Sequence, residues 1–314
     1  MDSNFGSLKK IFYATFFIIT LELLLFKISP QIYSIFNFLP IFFIAMVIEM
    51  KIFATSVIFS ILFFIFLGLK QFDIQNNILN SSSFVFSYIF FSSLVIIFFI
   101  LFNLNQENKR DSIGEKLAYF NVICSSFLFV FLLLFFSKIN LQDITNLITN
   151  TFIKLFDKSD VYNQTDIEIL VERIIKILPS INFYIILITF FFNFFLANLI
   201  INKLSFSLLY KFNFQNFLIP KWYLYFFIFT LLASFILDSN SKIFFNNVCI
   251  LSSFIYFFSG FLYTLDFIKK YEINTFLKIL IIFLLFLFLG YVLILLFFFI
   301  GFYRNIRLLF LQKN

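Results

Sequence analysis

Residues 83–104 read SFVFSYIFFSSLVIIFFILFNL, twenty-two positions without a single charge. A helix at a protein–water boundary keeps one polar face for the water, and this stretch has no such face. It matches the roughly 20 apolar residues that a helix needs to cross a bilayer. Similar stretches fall at 11–28, 32–48, 52–69, 117–137, 181–202, 222–238, 243–265 and 277–303. The expectation is an all-α, polytopic transmembrane helix bundle of about nine spans. Eight is the alternative, because 222–238 is short for a full crossing.

Composition leads to the same class. Hydrophobic residues make up 62% of the 314 positions and charged residues 12%, with a mean hydropathy of +1.03. A soluble domain averages about 45–50% apolar and about 25% charged. A chain of this size has too much surface to hide that apolar excess from water, so the lipid bilayer is its expected solvent and first partner. The 60 phenylalanines are those an A+T-rich genome favours, with an aromatic-lined ligand path as the other reading, and on their own they carry little information about function.

Charge and residue inventory exclude several classes of function. The net charge of +7 is spread over short loops and forms no basic cluster, so nucleic acid is not an expected partner. There is no histidine, which removes imidazole acid–base chemistry, Ser-His-Asp triads and the usual zinc sites. Cys124 and Cys249 each sit in an apolar stretch and read as small buried hydrophobes. No P-loop, GxGxxG or HExxH motif occurs, so the expectation is no enzyme, no cofactor and no metal site.

The breaks between spans are short. Pro30-Gln31 divides the first two, Glu49-Met50-Lys51 the second and third, and Pro220-Lys221-Trp222 opens the seventh, with Pro in the first turn and Trp at belt height. Residues 138–180 differ. Leu141, Ile144, Ile148, Thr151 and Leu155 recur at spacings of three and four, which is an amphipathic helix suited to a membrane or protein surface. After a polar linker, Thr165-Asp166-Ile167-Glu168 reads as a capping box. The helix it opens has an apolar stripe of Ile167, Leu170, Ile174 and Ile177, a Glu172–Lys176 pair one turn apart, and an end at Pro179. The expected organisation is a five-helix half at 1–137, this insert at 138–180, and a four-helix half at 181–314.

Lysine and arginine in short loops set orientation. With the N-terminus in the cytoplasm, the inside segments hold twelve and the short outside loops three. The tail, with Arg304, Arg307 and Lys313, runs against that assignment if the spans number nine.

Three sets of polar residues lie at membrane depth. Glu22 is the one acid well inside an apolar run; a charge there is costly and marks an ion or proton site by default. A position near the interface, with local pairing to Lys27, is the other reading. Thr189, Asn193 and Ala197, each four apart, and Asn198 beside them form one stripe. Ser252, Tyr256, Ser259, Gly260, Tyr263 and Asp266 form another. Either stripe suits helix packing through small and amide side chains. Either also suits substrate contact, with Thr189, Asn193, Asn198, Ser252, Tyr256, Ser259 and Tyr263 as the candidate binding residues.

Two motifs carry a family resemblance. One is Leu39-Pro40, an apolar run, the break Glu49-Met50-Lys51 and a second run to Gly68. The other is Asn193, Leu196-Ala197-Asn198, a short basic loop, and Ile219-Pro220-Lys221-Trp222. With the terminal segment from Gly301 to Arg307, these resemble the YybS-like family of bacterial multi-helix membrane proteins. Ile219 stands where that family usually has Leu. The resemblance implies a multi-pass protein of the bacterial plasma membrane. By analogy of pattern alone, it implies likeness to the substrate-binding subunits of vitamin transporters. The expected function is therefore to bind or move a small molecule, with a membrane partner subunit supplying energy. The rival expectation is a scaffold or assembly protein that works through its 138–180 insert.

Overall fold

The computed structural model describes residues 2–71, 81–103, 113–138, 149, 164–209, 217–269, 290 and 292–308. Every regular element among them is a helix: α1 (Asp2–Ile28), α2 (Pro30–Phe36), α3 (Leu39–Val47), α4 (Met50–Gln71), α5 (Ser81–Asn103), α6 (Ile113–Lys138), α7 (Gln164–Lys203), α8 (Lys221–Ile236), α9 (Ser239–Lys269) and α10 (292–308). Six contain stretches long and apolar enough to cross a membrane, in α1, α4, α5, α6, α7 and α9. The expected spans at 32–48 and 222–238 are the shorter apolar helices Gln31–Val47 and Lys221–Ile236. Of the ninth, at 277–303, residues 277–289 and 291 lie outside the described residues.

The chain divides into two compact units, each discontinuous in sequence: Met1–Lys109 with Ile186–Phe212, and Arg110–Ile185 with Asn213–Asn314. In the first, α1 packs on α4, α2 and α3, and α5 packs on α4 and α3. Its core is a run of phenylalanine rings. Phe42 lies 4.8 Å from Phe190 and 5.5 Å from Phe194, with Phe98 5.3 Å from Phe190. The steep angles between these rings are the edge-to-face contacts that aromatic quadrupoles favour. In the second unit α9 packs on α8 and α6.

Proline sets the interruptions. Ser29 has extended backbone, caps α2 by accepting Gln31 N–H at 3.2 Å, and so parts α1 from α2 ahead of Pro30. The span expected at 32–48 is broken: α2 stops at Phe36 and α3 starts at Leu39. Pro40 has no N–H for the Phe36 carbonyl and sits in the first turn of α3, where that N–H is not needed, so the chain ends one helix and starts another. The second correction falls at Pro179. The helix expected to end there runs unbroken from Gln164 to Lys203.

Asn247 explains how that proline is tolerated. Its Oδ1 accepts Ser180 N–H at 3.0 Å, and its Nδ2 donates to the Lys176 carbonyl at 2.8 Å. One side-chain amide thus spans the rung next to the proline. Residues 139–148 and 150–163 of the insert lie outside the described residues. In the part described, Glu172 and Lys176 pair at 2.6 Å as expected. The buried face, however, runs through Val171, Ile175 and Pro179. Leu170 is exposed, and Ile174 and Ile177 are half-buried. The stripe read from sequence is offset by one residue because apolar residues occupy both sides of this helix.

In the second unit α9 and α10 cross at glycines. A Cβ on Gly260 would fall on the Phe297 carbonyl and lie 2.9 Å from Gly301 N. A Cβ on Gly301 would fall on the Tyr256 carbonyl. Small residues four apart from these carbonyls let two backbones touch, as in membrane helix pairs generally.

Replacing Asn247 with Ala leaves two buried backbone groups without their partner, a loss of about 1–3 kcal/mol for each unsatisfied group. The expected outcome is a lower melting temperature for the detergent-purified chain, measured by circular dichroism. In a Pro179→Ala background the same substitution is expected to cost markedly less, because a helical N–H is restored at the break. Equal losses in the two backgrounds refute the splint.

Candidate functional site

Helix α1 buries one face through Ala14, Ile18 and Glu22, spaced four apart, and exposes Phe12, Tyr13, Phe16, Leu23 and Leu24 on others. Glu22 is therefore carried into the interior of the first unit by the register of its own helix. It is fully buried. It does not reach water, and Lys27 is exposed.

The groups around it are hydroxyls. Tyr33 of α2, itself buried, interacts with the carboxyl, and Tyr88 of α5 lies within electrostatic reach of it. Among the described residues, neither carboxyl oxygen of Glu22 is closed into a well-formed hydrogen bond. Tyr88 shares a hydrogen bond of 2.7 Å with Ser60 Oγ of α4, and Ser92 donates to the Tyr88 carbonyl. Tyr33, Tyr88, Ser60 and Ser92 are all buried. Phe26 packs at 5.7 Å against the Tyr33 ring, and Phe64 at 4.7 Å against Tyr88. The result is one acid among hydroxyls, enclosed by aromatic side chains. Among the described residues no lysine or arginine pairs with Glu22.

The two polar stripes fall in different units. Asn193 is buried and donates from Nδ2 to the Ile35 carbonyl at 2.7 Å and to the Thr189 carbonyl at 2.8 Å, while its Oδ1 meets no donor among the described residues. Ile35 lies in the last turn of α2, where helical carbonyls lack an amide partner. Thr189 and Asn198 are half-buried, and Asn198 Oδ1 accepts from Asn202 Nδ2 at 3.4 Å.

In the second unit Ser252, Tyr256 and Ser259 are buried and Tyr263 is exposed. The Ser252 carbonyl accepts from Tyr223 Oη at 2.9 Å, and the same hydroxyl reaches Asn121 Oδ1 at 2.8 Å. Asn121 Nδ2 in turn donates to the Leu251 carbonyl at 3.2 Å. Asn305 Nδ2 donates to Ser259 Oγ at 2.9 Å, and its Oδ1 accepts Ile219 N–H at 3.1 Å. Tyr256 Oη is buried among rings with no hydrogen-bond partner among the described residues, with Phe227 at 5.2 Å and Phe302 at 5.2 Å. Arg304 lies over the Tyr263 ring at 4.9 Å, a cation–π contact. Most of these polar atoms hold one helix to another.

Sequence reading alone did not single out Tyr33, Tyr88, Tyr223, Asn247 or Asn305. The pair Tyr88/Ser92, one turn apart in an otherwise apolar span, was a usable signal. Asn247 and Asn305 offered none, since their partners are backbone groups distant in sequence.

A buried carboxyl without a cation costs stability, on the order of 2.5–3.5 kcal/mol on insertion scales. Glu22→Met removes that cost at similar volume, so the purified chain is expected to melt at a higher temperature. Glu22→Lys is expected to melt lower. A loss of stability in Glu22→Met refutes the reading of Glu22 as a burden on folding. No family model, no curated protein and no solved structure matches the chain.

Proposed function

We propose that the chain is a non-catalytic, multi-pass membrane protein that binds or moves a small molecule, with Glu22 as the ion or proton site. One observation carries this reading. A carboxyl is kept at membrane depth, fully buried, among hydroxyls and with no cation paired to it among the described residues. A charge so placed opposes insertion and folding, whereas Gln or Met would fill the same space without that opposition. Retaining an acid there has a rationale if it meets something that comes and goes. The polar groups of Asn193 and Ser259, by contrast, are engaged in holding helices together, so they are secondary contributors to any ligand path.

In this proposal the membrane is the plasma membrane of a bacterium and the N-terminus is cytoplasmic, on the balance of basic residues in the loops. The spans number nine. Gln31–Val47 and Lys221–Ile236 are short for the usual bilayer thickness and would cross by local thinning of the bilayer or by packing against longer neighbours. A partner subunit in the same membrane would supply any energy beyond that of the cation at Glu22.

The test uses the full chain purified in nanodiscs after expression in a bacterium. Small molecules retained by the wild type and by Glu22→Gln are extracted and compared by untargeted mass spectrometry. At least one species is expected to be enriched with the wild type and reduced about tenfold or more in the variant, a factor equal to about 1.4 kcal/mol. Matching profiles from two equally stable proteins refute the proposal.

A further inference from the structure

The geometry points to a proton as the cation that Glu22 exchanges, taken up on a carboxyl oxygen beside Tyr33. The inference rests on the reading of Glu22 as an ion or proton site and names its occupant. The starting point is charge balance. An ionised carboxylate in the interior needs a compensating positive charge or a bound proton. The groups available can be followed element by element. Among the described residues, Tyr33 on α2 and Tyr88 on α5 are the titratable side chains that act on Glu22. α3 (Leu39–Val47) contains no ionisable residue. α4 faces the cluster with the hydroxyl of Ser60; its Lys51 is exposed at the helix start, and its Lys70 stands in the last turn, well along the helix from Ser60. On α1 itself Lys27 is exposed. None of these supplies a positive charge at the carboxyl.

The oxygen inventory decides between a metal cation and a proton. A hard metal ion takes several oxygen ligands at once, converging on one point. Here the carboxyl has Tyr33 for a neighbour, and the next hydroxyl, Tyr88, is committed to Ser60 at 2.7 Å. Ser60 also donates to the Val57 carbonyl at 2.8 Å, and Ser92 to the Tyr88 carbonyl. Among the described residues, no group of three or more acidic or other metal-ligating side chains gathers there to form a metal shell. A proton asks for much less: one carboxyl oxygen to hold it and one oxygen to receive the resulting O–H. Tyr33 can be that acceptor. The proton adds to one carboxyl oxygen and leaves the group neutral, so the interior carries no charge while the site is loaded. The Ser60–Tyr88 pair then acts as a positioning element that fixes the hydroxyl side of the cluster.

Infrared difference spectroscopy of the full chain in nanodiscs, wild type minus Glu22→Gln, tests this directly. The C=O stretch of a carboxylic acid is expected in the difference spectrum, shifting in D2O and disappearing as the pH is raised. Sodium chloride in place of choline chloride at fixed pH is expected to leave it unchanged. Tyr33→Phe is expected to move both its frequency and its pH profile, which a purely structural role for Tyr33 would not do. Absence of the acid band at every pH at which the chain stays folded overturns the inference. So does its removal by sodium at fixed pH, which would mark an alkali-cation site instead. The small-molecule comparison reports separately. An acid band that titrates alongside unchanged small-molecule retention in Glu22→Gln leaves the proton site standing and removes the transport reading. Loss of retention without the band does the reverse.

Discussion

In hydrocarbon, a backbone group that loses its helical partner has no water to turn to, and only another part of the protein can satisfy it. That constraint organises this chain. Its four prolines stand at positions 30, 40, 179 and 220, and a polar side chain answers a backbone group near each. Ser29 caps the helix that Pro30 opens. Asn193 takes the Ile35 carbonyl at the break ahead of Pro40. Asn247 spans the rung beside Pro179. Asn305 accepts the N–H of Ile219, next to Pro220. Asparagine suits the task because one short, rigid amide both donates and accepts.

These contacts separate polar residues that build the structure from the one that burdens it. An asparagine bonded to an exposed backbone group lowers the cost of a broken helix. Glu22 repairs no such break, and among the described residues both its oxygens lack well-formed hydrogen bonds. The phenylalanine core around Phe42, Phe98 and Phe190 needs no acid nearby to pack. A costly group with no structural return is where a functional explanation has the most purchase.

Much of the architecture was legible in residue order alone. Uncharged runs such as 83–104 are uniform enough to be read as helices at once, and the Glu172–Lys176 pair follows from spacing. The faces of those helices were another matter. In water a helix advertises its buried side by contrast with its polar side. In lipid both sides are apolar, so the sequence could not say that Ala14, Ile18 and Glu22 face inward while Phe12 and Phe16 face out. The same blindness put the stripe at Leu170 and Ile174 in place of Val171 and Ile175. Pro40 and Pro179 were misjudged in opposite directions for one reason. Whether a proline breaks a helix depends on a partner elsewhere in the chain, and for Pro179 that partner is 67 residues from Ser180.

That separation has a consequence for the birth of the protein. A ribosome adding about 5–20 residues per second takes about 3–13 s to travel from Ser180 to Asn247. Through that interval α7 must enter the membrane with the rung beside Pro179 unsupported, and lipid cannot supply the missing amide. Asn193 faces no such wait, because Ile35 has been made long before it. The two asparagines thus do similar work on different clocks: one locks on to a partner already delivered, and the other arrives late to finish a helix already in place.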